Sequence, residues 1–238
     1  MSATTEAAKQ IRIPTIAVLR PALAEFVGSA GLTAVVVGSG IAAQHLSPGD
    51  TGLQLLENAL ATALGLTVLV LVFAPSSGAQ FNPVVSLVDA AAGGRPWRGL
   101  WSYIPAQVLG CLVGAVLANL MFEQPAARWS STERATPAHL LAEVVATAGL
   151  ILVIFVLART GRAAIVAPAV GAYIGAAYWF TSSTSFANPA ITIGRTITDT
   201  FAGIAPGSAP WYIGAQLIGA GLGLAAVRVF APNSSVTR

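Results

Sequence analysis

Charge is scarce in this chain. Only 9% of its 238 residues are Asp, Glu, Lys or Arg, while 55% are hydrophobic. Soluble proteins carry roughly 25% charged residues, so a soluble fold of this length could not cover its surface. With a mean hydropathy of +0.74, the composition describes a polytopic membrane protein and excludes disorder, coiled coil and collagen. Cysteine is nearly absent. Cys111 stands alone in an apolar run, which rules out an internal disulfide and reads as a buried thiol rather than a reactive one. A net charge of +3 is too sparse for a nucleic-acid footprint, so nucleic acid is not an expected partner. There is no phosphate-binding glycine loop, no cysteine/histidine metal cluster and no nucleophile with its base. An enzyme, a cofactor and a bound metal are therefore not expected.

What the sequence does have is long apolar runs. A helical span needs ~20 such residues, and six segments fit: about 21–45, 53–74, 99–122, 138–158, 164–182 and 209–230. They are rich in Ala, Leu, Val and Gly and do not alternate, so they predict helices rather than the strands of a transmembrane barrel. Six spans put both termini on one side. If that side is the cytoplasm, Lys9, Arg12, Arg20, Arg95, Arg98, Arg159, Arg162, Arg228 and Arg238 lie inside, and Arg128, Arg134 and Arg195 lie outside. The positive-inside rule favours this orientation. The expected location is the cell membrane, multi-pass, with lipid around the spans. Residues 1–20 lack an apolar core and read as a cytoplasmic tail rather than a signal peptide.

Three polar features occur twice in the same order. Ala24-Glu25 matches Ala142-Glu143, Asn82-Pro83-Val84 matches Asn188-Pro189-Ala190, and Ala106-Gln107 matches Ala215-Gln216. Each half reads as helix, helix, Asn-Pro segment, helix. Three spans per half is odd, so the halves insert with opposite topology, the architecture that places a site at the repeat interface. The expected division is a first repeat over 21–122, an extracellular linker over 123–137, a second repeat over 138–230 and a cytoplasmic tail over 231–238.

Asn is a strong N-cap and Pro suits the first helical position, so each Asn-Pro reads as a helix start. The half-helices predicted at 82–92 and 188–202 are too short to cross a ~30 Å core alone. Entering from opposite sides, they span it together. Each start carries roughly +0.5 charge, so the meeting point repels cations and opposes a proton wire. The two Asn amides face a passing neutral, oxygen-bearing solute. Glu25 and Glu143 are costly inside a membrane. In one reading they titrate in a proton-coupled cycle; in the favoured one they accept hydrogen bonds from the non-helical backbone before each half-helix. Gln107 and Gln216 take the same structural reading. Gly110/Gly114, Gly171/Gly175 and Gly219/Gly223 read as close helix-packing pairs.

These motifs resemble the major intrinsic proteins, the aquaporins and glycerol facilitators, over about residues 20–230. Ser77-Gly78-Ala79-Gln80-Phe81-Asn82-Pro83 closely follows that family's first pore loop. The resemblance implies an all-α hourglass fold of six transmembrane helices plus two pore half-helices, a homotetramer with one pore per subunit, and passive flow of water or small neutral solutes. It also implies where selectivity is set: a ring whose members here fall at Thr62, Ala176, Ser185 and Ile191. Water-selective members of the family carry an aromatic, a histidine and an arginine in that ring, and the arginine's position is Ile191 here. Gln80 also stands where histidine is common. Arg195 follows four residues after Ile191, leaving two readings open: a pore-mouth residue on the face of Ile191, or a lip residue bonded to Asp199. The expected function is a wide, weakly polar channel for glycerol-like solutes or arsenite, with water. The Thr-Ile-Gly-Arg stretch at 192–195 resembles a bacterial branch associated with arsenic resistance. The alternatives are a water-selective channel and, more remotely, a proton-coupled transporter.

Overall fold

The computed structural model describes residues 15–231. Lys9, Arg12 and Arg238, with most of the two predicted tails, lie outside them. Eight α-helices follow in order: α1 (Thr15–Leu46), α2 (Thr51–Ser77), α3 (Pro83–Ala91), α4 (Leu100–Met121), α5 (Pro137–Arg159), α6 (Val166–Phe180), α7 (Pro189–Gly194) and α8 (Ala209–Phe230). Six are long and apolar enough to cross a membrane, and α3 and α7 are the short pair. No strand occurs among the described residues. The fold is the six-span, two-half-helix arrangement expected.

Two boundaries differ from expectation. Helix α1 begins at Thr15 and runs through Pro21, so residues 15–20 are helix rather than tail. The second half-helix stops at Gly194, with one 3-10 turn to Ile197, well short of 202. Beyond it the polar side chains bond sideways instead of continuing the helix. The Thr198 hydroxyl donates to Asn119 Oδ1 at 2.8 Å, and Asp199 takes the Ser131 amide and hydroxyl at 2.9 Å each. Such bonds compete with helix propagation.

Packing follows the small residues. Helix α4 lies on α1, α8 on α5 and α6 on α2. A Cβ on Gly110 or Gly114 would meet the carbonyls of Phe26 and Ala30, and one on Gly219 or Gly223 would meet those of Val144 and Ala148. A Cβ on Gly171 would meet the Ala63 carbonyl of α2, and one on Gly175 the Ala63 methyl. Without a hydrophobic drive between helices in lipid, this backbone approach is what holds them together. Large apolar side chains such as Leu60, Leu64, Leu109 and Leu222 point outward. Trp97, Trp101 and Trp211 are exposed near span ends, the level where aromatic belts sit. Cys111 is buried.

Candidate functional site

The short helices begin as capping chemistry dictates. Asn82 and Asn188 sit in extended backbone, each followed by Pro at the first helical position. Asn82 Oδ1 accepts the Val84 amide at 3.1 Å, and Asn188 Oδ1 accepts those of Ala190 and Ile191 at 2.9 and 3.3 Å. The two side chains also cross over. Asn82 Nδ2 donates to the Ala187 carbonyl at 2.7 Å, and Asn188 Nδ2 to the Phe81 carbonyl at 2.8 Å. The starts of α3 and α7 are thereby tied back to back, and each amide keeps a second N–H.

The loops before these caps are irregular. Ala79, Phe81, Ser185 and Ala187 hold φ of +49°, +49°, +49° and +47°, a region that costs any residue with a side chain. Buried carboxylates hold them there. Glu25 accepts from the Gln80 amide (2.9 Å), the Phe81 amide (2.7 Å), the Ser77 hydroxyl (2.6 Å) and Gln107 Nε2 (2.7 Å). Glu143 accepts from the Phe186 and Ala187 amides (2.9 Å each) and Gln216 Nε2 (2.7 Å). Each glutamine donates onward to a hydroxyl on the neighbouring short helix, Ser86 or Thr192.

A cavity of about 220 Å³ runs past both Asn side chains. Of the predicted ring, Thr62, Ser185 and Ile191 line it and Ala176 does not. Ala176 is exposed on the outer side of α6. The inward face of α6 carries Val166, Val170, Ile174 and Tyr178 at four-residue spacing. A register error of two residues is about 200° on a helix, so the expected small residue is replaced by a tyrosine. Tyr178 OH lies 3.3 Å from Thr62 Oγ1. The Ser185 hydroxyl is buried without a protein partner.

Phe186 and Arg195 complete the end of the cavity that borders the α4–α5 connector. Arg195 is 2% exposed. Its guanidinium stacks 3.4 Å from the Phe186 centroid, and its Nε donates to the Ala202 carbonyl. It is not a lip residue bonded to Asp199, because Asp199 pairs with Arg128 at 3.3 Å. The Ser131 hydrogen bonds, with Arg128 adding to them, hold the Asp199 carboxyl below its ordinary value. A second arginine, Arg134 of the connector, lies 5.5 Å from the Phe186 centroid and donates to the Gly203 and Phe201 carbonyls at 2.7 and 3.0 Å. Burial pushes its pKa down, though a guanidinium remains charged. The opposite end is neutralised: Asp89 pairs with Arg95 at 3.1 Å and accepts from Gln80 Nε2 at 2.8 Å. His45 stacks edge-on with Phe122, and His139 Nδ1 sits 2.8 Å from the Arg134 carbonyl. Neither reaches the cavity. Glu57 Oε1 accepts from the Ser47 hydroxyl at 2.7 Å.

Tyr178, Phe186 and Arg134 were not singled out by the sequence. Tyr178 was findable as the end of the four-residue series on α6, but nothing in the aperiodic connector marks Arg134 as an inserted residue.

A model of the major intrinsic proteins matches residues 12–186. The aquaglyceroporin AqpS of Rhizobium meliloti is 47% identical over 209 residues, covering 88% of this chain and 89% of that one. The glycerol uptake facilitator of Streptococcus pneumoniae is 31% identical over 147 residues, covering 56% and 62%. Among solved structures, the aquaglyceroporin from Plasmodium falciparum superposes with a TM-score of 0.68 at 20% identity, covering 92% of this chain and 97% of that chain; at that identity the likeness speaks for the fold.

Proposed function

The chain belongs to the major intrinsic protein family, and from that premise we propose that it is a passive membrane channel for small uncharged solutes, glycerol-like molecules or arsenite together with water. One observation carries this reading: a mostly apolar cavity passes both Asn amides and has no arginine at position 191. Apolar walls strip hydration, so charged solutes find no replacement shell, while a hydroxylated neutral solute meets donors at the Asn pair and at the connector end. The two half-helix starts add a positive field at the midplane against cations.

A water-selective channel is the second reading. Tyr178 and Arg195 favour it, because both add bulk to a ring that the sequence reads as small. The test is stopped-flow light scattering on proteoliposomes with water, glycerol, urea and arsenite gradients. The proposed function expects solute flux above that of empty vesicles. Water flux without any solute flux would leave the water-selective reading standing.

The proposal extends to assembly and orientation. The channel is a homotetramer with both termini in the cytoplasm, in a cell membrane, built from repeats over 21–122 and 138–230. Thr62, Ser185, Ile191 and Tyr178 set the constriction, the Asn82-Pro83-Val84 and Asn188-Pro189-Ala190 segments form the midplane, and Glu25, Glu143, Gln107 and Gln216 brace it. The repeated hydrogen-bond sets support the repeats and the brace, and the arginine distribution supports the orientation; the tetramer rests on membership of the family. Flux that requires a pH gradient would instead favour a proton-coupled transporter.

A further inference from the structure

A buried guanidinium, that of Arg195, and a half-buried one, that of Arg134, share one aromatic ring at the connector end of the cavity, and among the described residues neither has a carboxylate within ion-pairing distance. Unpaired buried charge is costly, so this pair asks for an explanation. Arg134 spends its Nε and one terminal nitrogen on the Gly203 and Phe201 carbonyls and does not line the cavity. Arg195 anchors only through Nε. Among the described residues its terminal nitrogens have no hydrogen-bond partner, and the residue lines the cavity with Ile191, one helical turn away. Next to it the Ser185 hydroxyl is buried and unpartnered.

Resting on the channel reading, we infer that Arg195 supplies the fixed cation of the constriction from one turn beyond Ile191, and that Arg134 is its positioning residue. Phe186 is the shared platform: the Arg195 guanidinium carbon lies 3.4 Å from its ring centroid and that of Arg134 5.5 Å. Both arginines hang from the same 201–203 turn, so the connector and that turn fix where the Arg195 fork points. An arginine offers donors only, while Ser185, Thr62 and Tyr178 hydroxyls both give and accept. A solute crossing here must accept hydrogen bonds from Arg195 and return one to a hydroxyl. That suits a neutral solute with two or more hydroxyls and disfavours ammonium ions, which can only donate, and inorganic cations.

The test uses the full chain in proteoliposomes, with Arg195→Cys read by Na+ and methylammonium leak and by the size cut-off across three-, four- and five-carbon polyols. Removing one charge ~6 Å from the path at an effective dielectric of ~20 should raise cation leak about 100-fold and admit longer polyols. A positively charged methanethiosulfonate added from the connector side should restore cation exclusion. The unmodified channel should ignore the reagent because Cys111 is buried. Arg195→Lys keeps the charge but loses the planar fork, so it should retain cation exclusion and shift only the polyol cut-off. Arg134→Gln should raise cation leak by less than Arg195→Cys does and shift the polyol cut-off in the same direction; a variant that matches the parent in both overturns the positioning role. If Arg195→Cys reaches the membrane and conducts water yet matches the parent in leak and cut-off, the inference is overturned. If Arg195→Cys does not assemble, Arg195→Lys decides: an unshifted polyol cut-off overturns it. If the unsubstituted chain passes nothing above empty vesicles, the channel reading fails and takes this inference with it.

Discussion

Replacing Glu143 by Gln tests the brace with almost no change in shape. All three partners of the carboxylate are donors: the Phe186 and Ala187 amides and Gln216 Nε2. An amide has one oxygen and one NH2. If its oxygen takes the Oε2 position, Ala187 and Gln216 keep neutral bonds and the Phe186 amide faces another donor. If the oxygen takes the Oε1 position, two donors are lost instead. The better choice leaves one buried N–H unsatisfied, about 1–3 kcal/mol, and weakens two charge-assisted bonds by about 0.5–1.5 kcal/mol each. Part of this is offset because a neutral amide is easier to bury. The net loss is about 2–5 kcal/mol, or a fall in Tm of roughly 5–15 °C for a chain of this size. Thermal unfolding in detergent, followed by near-UV circular dichroism, reads it directly. Water flux should fall as well, because Phe186 and Ala187 position the Asn188 cap. An unchanged Tm, together with parent flux that depends on a pH gradient and is lost in Glu143→Gln, would refute the brace and make the carboxylate a titrating group.

Ile191→Arg would place a second cation four residues from Arg195 on one buried helix face; we expect it to cut glycerol flux at least tenfold in the same light-scattering assay, and unchanged flux would remove Ile191 from the constriction. Gly114→Ala sets a Cβ against the Ala30 carbonyl and should cost about 1–3 kcal/mol by overpacking, whereas Gly214→Ala meets nothing within 4 Å and should stabilise α8 by up to about 1 kcal/mol; their Tm values should separate in opposite directions. Asp199 carries a depressed pKa through its Ser131 bonds, so the stability it lends the connector is present above the ordinary carboxylate range and is lost as pH falls through the folded value. Hydrogen exchange of residues 128–132 should therefore be flat from about pH 5 to 8, after correction for intrinsic rates, and rise only below about pH 4; loosening at pH 6 would contradict it.

The spans, the half-helix starts and the paired carboxylates were legible because each rests on a rule written in one stretch of sequence: apolar length, Asn-Pro capping, and the cost of a charge in lipid. The positive-φ backbone at Ala79, Phe81, Ser185 and Ala187 was not. No residue there prefers that conformation, and what holds it is a carboxylate 43 to 56 residues away in sequence. Ala176 failed for a different reason. Counting residues back from Asn188 across the irregular loop accumulates an error that a helix turns into an opposite face, and Tyr178 took the place. The second half-helix was drawn too long because its apolar start gives no hint that Thr198 and Asp199 bond to Asn119 and Ser131.

The repeat is close to symmetric at its centre and breaks at its ends, and the break carries the polarity of the cavity. Asn82 and Asn188 cross over, Ser86 and Thr192 receive the two glutamines, and the strained loop residues recur in matched pairs. After each short helix comes an arginine that donates to a carbonyl left over where regular structure stops, at the end of α2 in one half and in the 201–203 turn in the other. Arg95 does so beside Asp89, donating to the Ser77 carbonyl, stacked 3.6 Å from the Tyr103 centroid. Arg195 does so over Phe186, donating to the Ala202 carbonyl, without an acid. The first end is therefore electrically closed and the second keeps a net positive charge facing the cavity. Since the two half-helix starts are themselves positive at the midplane, a cation entering from the connector end meets two barriers in series, while one entering from the Asp89 end meets them in the reverse order. At equilibrium this asymmetry cannot pump; on the channel reading, what it can do is hold hydroxylated solutes longest at the connector end, where Arg195 and the buried Ser185 hydroxyl both line the cavity.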